Sequence, residues 1–226
     1  MQYEKIKKAT FLSRPNRFLA MVELDGREVV CHVKNTGRCR ELLVSGATVY
    51  LCHSDNPNRK TQFDLIAVEK NGLLINMDAQ APNAVFAEWA MAGKFRSDLQ
   101  TFKPETVYQS SRFDFYWETS SQRGFVEVKG VTLEEHGVVR FPDAPTERGV
   151  KHIHELMNAK QAGYQAAIYF IVQLSPVRFF EPNGQTHPQF AQALQQAQAA
   201  GVELAALSCT VTPNSITIDK PVPVVL

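Results

Sequence analysis

The sequence predicts an α/β fold of the α+β type in two parts, a small N-terminal β-barrel over residues 1–82 and a mixed sheet flanked by helices over residues 83–226. Three observations carry this. Up to residue 80 the chain is a series of short segments separated by turn dipeptides, the rhythm of a small antiparallel barrel. Beyond Ala81-Pro82-Asn83, helical and strand periodicities alternate. Gln165 to Leu174 is then a nearly continuous apolar run, as expected of a central strand covered on both faces. With 226 residues, 44% of them hydrophobic, the chain can bury one or two cores.

In the first part, Phe18–Leu24 and Glu28–Val33 flank Asp25-Gly26, whose residues tolerate the positive φ of a type I′ hairpin turn. Arg38–Val44 is expected as a short helix, and Ala47–Cys52, Gln62–Val68 and Leu73–Met77 as three further strands, the last after the Asn71-Gly72 turn. Five short strands and one small helix suit an OB-like barrel, whose strand face and loops bind single strands or oligosaccharides. Arg14, Arg17, Lys34, Arg38 and Arg40 fall around its loops and are candidate nucleic-acid contacts. Phe18 or Tyr50 could stack a base, although the core is the commoner place for each aromatic.

In the second part a helix runs from an Asn83 N-cap to about Lys94, burying Phe86, Trp89, Ala90 and Gly93. Strands follow near Val107–Tyr108, Phe113–Glu118, Gly124–Val131 and Val138–Phe141. A helix over Thr146–Ala162 points Val150, Ile153 and Met157 inward and ends at Gly163. Beyond the apolar run, Pro188–Ala200 is a helix closed by Gly201, and strands return from Val202 to Ile218.

The chemistry concentrates on two of these strands. Residues two apart in a strand share a face, so Glu127 and Lys129 project together, and Asp114 can join them from a neighbouring strand. Two hard carboxylates could hold Mg²⁺ or Mn²⁺ at a phosphate, while the ammonium orients a water for in-line attack. An acidic-basic pair on a strand is commonly a solvated face, but here Phe113, Phe115 and Val131 surround the charges, and buried charges need partners or a metal. Glu88, beside the buried stripe of its helix, is a candidate third carboxylate. Arg148, Lys151, His152 and Glu155 share one face of the helix that follows, and Arg148, Lys151 and His152 near its N-terminus could bind a phosphate.

An Asp, then Glu-x-Lys, then a basic helix resembles the PD-(D/E)XK nuclease-like fold. The segments Arg14-Pro15-Asn16-Arg17-Phe18, Asn35-Thr36-Gly37-Arg38-Cys39 and Phe141 to His152 narrow the likeness: the chain resembles the sugar fermentation stimulation protein family over nearly its whole length. The resemblance implies an OB-type barrel joined to a nuclease-like domain, DNA binding, and a regulatory role in maltose metabolism. Phe113 rather than Pro precedes Asp114, a departure from the motif that leaves its ligands in place.

Net charge is +1, yet residues 1–60 hold eleven Lys or Arg against six Asp or Glu, which suits a polyanion such as DNA, with RNA not excluded. No segment is apolar enough to span a membrane and Met1–Lys5 lacks a signal-peptide core, so a cytoplasmic protein with reduced cysteines is expected. Cys31-His32, Cys39 and Cys52-His53 lack the regular spacing of a zinc site. Two functions stand side by side: a metal-dependent phosphodiesterase acting on nucleic acid, and a non-catalytic DNA-binding regulator that keeps the nuclease-like fold. Oligomeric state is left open, a homodimer included.

Overall fold

The computed structural model describes residues 1–35 and 37–226. Its longest strand is one the sequence pattern hides. β1 (Ile6–Asn16) fully buries only Ala9 and Phe11, and the exposed Lys7, Lys8 and Pro15 blur its alternation. It pairs with β2 (Leu19–Leu24) and β4 (Thr48–His53), β2 with β3 (Arg27–Val33), and β4 with β5 (Phe63–Lys70). A parallel contact of β3 with β5 at His32↔Asp64 and Val33↔Leu65 closes these five strands into a barrel, and β6 (Leu73–Asn76) adds to β5. The hairpin dipeptides sit at positive φ as their chemistry requires: 52° and 75° for Asp25-Gly26, 51° and 79° for Asn71-Gly72. The expected helix over Arg38–Val44 is a single turn, in which the amides of Leu42 and Leu43 both bond the Cys39 carbonyl; Cys39 itself lies at φ 45°, outside the helical region.

The second half is a six-stranded sheet of order β15-β14-β12-β9-β8-β7. Its strands are β7 (Thr101–Tyr108), β8 (Ser111–Glu118), β9 (Arg123–Val131), β12 (Gln165–Val172), β14 (Glu203–Thr212) and β15 (Ser215–Val222). A smaller sheet is built from β10 (Leu133–Glu135), β11 (Val138–Phe141) and β13 (Phe179–Pro182). Strands β9, β12 and β14 are parallel, and the crossovers between them carry α2 (Glu147–Gln161) and α3 (Pro188–Ala199). α1 (Ala81–Trp89), extended by a π-helical turn over Ala90–Lys94, covers the opposite face. Both faces of β12 are therefore dry, which is why its sequence is apolar throughout: Ile168 and Phe170 pack with Ile153 and Leu156 of α2, Tyr169 and Ile171 with Phe86 of α1.

The halves are joined by contacts the pattern does not announce. Residues at the start of the chain leave the barrel, where Gln2 bridges Ser215 and Tyr3 donates its amide to Asn214. Tyr3 then meets a buried polar network: Asp78 accepts from Lys34 Nζ at 2.7 Å and the Tyr3 hydroxyl at 3.3 Å, while Gln173 of the second half donates to Asn76 and to the Asp78 carbonyl. Among the described residues no helix is long and apolar enough to cross a membrane.

Candidate metal and phosphate site

Strand β8 pairs with β9 from Phe115↔Val126 to Glu118↔Arg123, and the ladder stops there. Phe115 packs in the core under α1, whereas Phe113, two residues earlier, packs against Phe125 and His152 under α2. Side chains two apart in a regular strand share a face, so β8 twists away from β9 between them, at Asp114, while it stays paired with β7 as far as Ser111. The carboxylate replaces the lost strand partner: Asp114 Oδ2 accepts from the Val128 amide at 2.8 Å. Asn83, on the first turn of α1, donates to Oδ1 at 2.9 Å.

Phe125 and Val131 of β9 belong to the α2 side of the core, and the strand's alternation puts Glu127 and Lys129 on that same side. Glu127 is only 3% exposed. Its Oε1 accepts from the Lys129 ammonium and pairs with His152 Nδ1 at 2.6 Å. Arg148 Nε lies 3.4 Å from the other ring nitrogen of His152, an arrangement satisfied by a neutral ring with its proton on Nδ1. Burial pushes the Glu127 carboxyl up, but the Lys129 charge and the His152 bond outweigh it and hold the group below its usual range. Asp114 goes the other way: burial first, and the negative charge of Glu127 second, lift it above the ordinary aspartate value.

One atom is left over. Glu127 Oε2 is buried and has no hydrogen-bond partner in the protein. Both Asp114 oxygens hold one bond each and keep a free lone pair, so the cluster presents hard oxygen donors with one wholly unmet, a set that suits a hard divalent cation. Asp114 and Glu127 would hold it. Among the described residues no third His, Cys, Asp or Glu joins a ligand group, so the remaining positions would fall to water, backbone carbonyl or phosphate.

The expected third carboxylate is elsewhere. Five residues on from Asn83, Glu88 is turned about 140° around the helix, and it binds the Met1 amino group at 2.5 Å with 58% of its side chain exposed. Asn83, expected as an N-cap, supplies the α1 contact instead, and Gln80 stands at the cap position. The polar face of α2 also divides: His152 and Glu155 are buried, while Arg148 and Lys151 stay exposed, and Val150 and Met157 are only partly buried. Glu155 accepts from Ser110 at 2.6 Å and Lys151 donates to the Ser110 carbonyl, which fastens the β7–β8 turn, and hence the Asp114 strand, to α2.

Comparison with known proteins bears on this arrangement. Residues 12–77 match the SfsA N-terminal OB domain and residues 80–215 match the Sugar fermentation stimulation protein RE domain. The chain belongs to the sugar fermentation stimulation protein family. It is 56% identical over 216 residues to the Sugar fermentation stimulation protein homolog of Desulfitobacterium hafniense (strain Y51), covering 96% of this chain and 94% of that one. It is 52% identical to that of Clostridium beijerinckii (strain ATCC 51743 / NCIMB 8052) over 226 residues and the full length of both. The structure of Pyrococcus furiosus SfsA in complex with Ca²⁺ superposes with a TM-score of 0.90 at 29% identity, covering 100% of this chain and 98% of that one.

In this family member the barrel cations divide into two groups. Arg14, expected at a phosphate, directs both Nη atoms to the carbonyls of Arg17, Asn35, Gly37 and Arg38, and so ties the barrel loops together instead. Lys34 is taken by Asp78. Arg17, Arg38 and Arg40 border one surface hollow, with Arg17 stacked 4.7 Å over the exposed Phe18 ring. The cysteine and histidine positions weighed against zinc form no ligand group among the described residues: Cys31 and Cys39 are buried, with thiols pushed up to about 12, and His32 pairs with Asp64.

Proposed function

We propose that this protein binds DNA and hydrolyses phosphodiesters at Asp114, Glu127 and Lys129, with Mg²⁺ or Mn²⁺ held by the two carboxylates. The free Glu127 Oε2 carries the reading, because a buried polar atom left unpaired costs about 1–3 kcal/mol, and more when charged. A ligand that fills it turns that cost into affinity. The Ca²⁺ complex of the Pyrococcus furiosus protein supports the same conclusion, since calcium is a hard, oxygen-seeking ion. When bound, the ion would polarise a phosphate oxygen and make a bound water more acidic. Asp114 is oriented by Asn83 and the Val128 amide, and Glu127 by His152. Lys129, already against Glu127, has ammonium protons left for a water or a phosphate oxygen, and the exposed Arg148 adds charge at the first turn of α2.

A second reading, a DNA-binding regulator of sugar fermentation genes, has its own observation. Lys129 is engaged by Glu127, and no third acidic ligand joins among the described residues, which suits a frame that keeps the site without its chemistry. Incubation with plasmid, single-stranded DNA and RNA, with Mg²⁺ or Mn²⁺ and with EDTA, separates the two. The enzyme should cleave only with metal, and Lys129→Ala should abolish cleavage while nearly preserving DNA affinity. Absence of cleavage on every substrate would leave the regulator; cleavage at the parental rate in Lys129→Ala would move the active site elsewhere.

A further inference from the structure

Arg148 and His152 stand one turn apart on α2 and differ in exposure: the arginine lies at the surface, whereas the imidazole is 5% exposed. Three groups hold that ring. Its Nδ1 pairs with Glu127 Oε1 at 2.6 Å, Arg148 Nε donates to its Nε2 at 3.4 Å, and Phe113 meets it edge to face with the ring centroids 6.1 Å apart. Phe113 is the residue found where the nuclease-like motif carries proline, so in this chain the departure from the motif supplies a wall for the imidazole.

The partners fix where the ring carries its proton. A guanidinium N–H can only donate, so Nε2 accepts and is bare; an ionised carboxylate oxygen can only accept, so Nδ1 donates. An imidazolium would set a second N–H and a second positive charge against Arg148. A free imidazole in water favours the other tautomer, with its proton on Nε2, so the bond from Arg148 selects the less common form. The consequence reaches Glu127. With the Lys129 ammonium and the His152 Nδ1–H both on Oε1, the carboxylate is held from one side, and Oε2 is the oxygen left without a partner. A ring protonated on Nε2 would instead turn a lone pair toward Oε1 and release the carboxylate from that side. We propose that Arg148 is a positioning residue for Glu127: its Nε holds His152 in the Nδ1–H tautomer, and the imidazole passes that orientation on to the carboxylate that would hold the cation. This rests on the metal site of the phosphodiesterase reading and gives Arg148 a role other than its charge.

Donor and charge can be separated at this position. A glutamine carries its amide nitrogen as many bonds from Cα as an arginine carries Nε, so Arg148→Gln keeps the donor and removes the charge, while Arg148→Ala removes both. Long-range ¹H–¹⁵N correlation on the metal-free full chain, with the His152 ring assigned by its absence in His152→Gln, should show a bare Nε2 and a protonated Nδ1 in the parent and in Arg148→Gln, and a protonated Nε2 in Arg148→Ala. Calorimetry with Mn²⁺ should return the parental affinity in Arg148→Gln and an affinity about tenfold weaker in Arg148→Ala, the loss expected when a group that orients a metal ligand is removed. A proton on Nε2 in the parent overturns the proposal. So does parental Mn²⁺ affinity in Arg148→Ala, and so does an Arg148→Gln protein as weak as Arg148→Ala, which would assign the effect to charge. A parent that gives no Mn²⁺ heat overturns the metal reading, and the positioning role then stands or falls on the ring resonances of the three proteins.

Discussion

Asp78 and Glu127 are both acidic residues taken almost wholly out of water, at 0% and 3% exposure, and they are treated in opposite ways. Asp78 is met on every side: Lys34 and Tyr3 at Oδ2, the Gln80 amide at Oδ1, Gln173 at its carbonyl, and Asn76 at its own amide. Glu127 receives two donors on one oxygen and none on the other. A closed network of this kind rigidifies and specifies a structure, so the Asp78 cluster reads as architecture that fixes how the barrel meets the sheet. An open one stores free energy for a ligand. Burial alone does not separate the two; what sets Glu127 apart is an unmet carboxylate oxygen beside the second carboxylate of Asp114 and the Lys129 ammonium, whereas other unmet buried atoms such as Glu41 Oε1 and Trp117 Nε1 stand outside this cluster.

The comparison predicts its largest effect at the closed network. Asp78→Ala leaves Lys34 beside an empty cavity and strands donors of Tyr3 and Gln80, and removing one partner of a buried pair costs about 3–5 kcal/mol. Lys34 retains 22% of its side-chain exposure, which places the expected loss at the lower end of that range. Urea unfolding measures it. A loss below about 1 kcal/mol would mean that the junction is held by apolar contact and that the network is incidental.

At the open cluster the effects should be smaller and depend on pH in opposite senses. Asp114 has a raised carboxyl, so the folded state binds its proton more tightly than the unfolded chain does, and stability falls as pH rises from the unfolded value of about 3.9 through the higher folded one. Asp114→Asn escapes that loss, since Asn83 can turn its amide to accept. It should therefore be more stable than the parent at neutral pH without metal, with the gap closing in acid. Glu127 is depressed, so its ionised form adds stability above the unfolded value of about 4.3, and that stability is lost as pH falls through the folded value. Glu127→Gln should be the less stable protein at neutral pH. Mg²⁺ or Mn²⁺ at a hundredfold excess over its Kd should stabilise the parent by about 2.7 kcal/mol and leave Asp114→Asn unmoved. Melting curves across pH, with and without the ion, read all of this; an Asp114→Asn protein that melts below the parent at neutral pH without metal would remove the case for an open cluster.

What could be read in the sequence follows the same physics. Gln165–Val172 was legible because both faces are dry and composition alone reports that; β1 was not, because only Ala9 and Phe11 turn inward between exposed lysines. Glu127 and Lys129 were legible as a pair from strand geometry. That Asp114 stands where β8 parts from β9 was not, since a break in a ladder depends on the partner strand. His152 and Glu155 lay on the face expected to be polar, and both are buried, because Glu127 and Ser110 reach across from the sheet to receive them. A helix displays its own periodicity and not what its neighbours offer, so the pattern pointed to Glu88 as the cluster's third carboxylate and to Asn83 as a cap, whereas it is Asn83 that touches Asp114.

These two residues provide the smallest and sharpest test, because they share one helix and differ only in whether they touch the open cluster. Asn83→Ala removes a hydrogen bond to a half-buried carboxylate, worth about 1.5 kcal/mol, and frees an Asp114 oxygen that needs orientation. Loss of a group that orients a metal ligand typically weakens metal affinity about tenfold or more. Glu88→Ala removes an ion pair more than half exposed to water, so stability should change by no more than about 0.5 kcal/mol, and titration with Mn²⁺ should return the parental affinity. Because α1 is otherwise unchanged in both variants, a general loosening of the helix cannot produce that split. Equal affinities in Asn83→Ala and the parent would show that Asp114 is held well enough by the Val128 amide, and a weakened Glu88→Ala would return the glutamate to the site from which its geometry removes it.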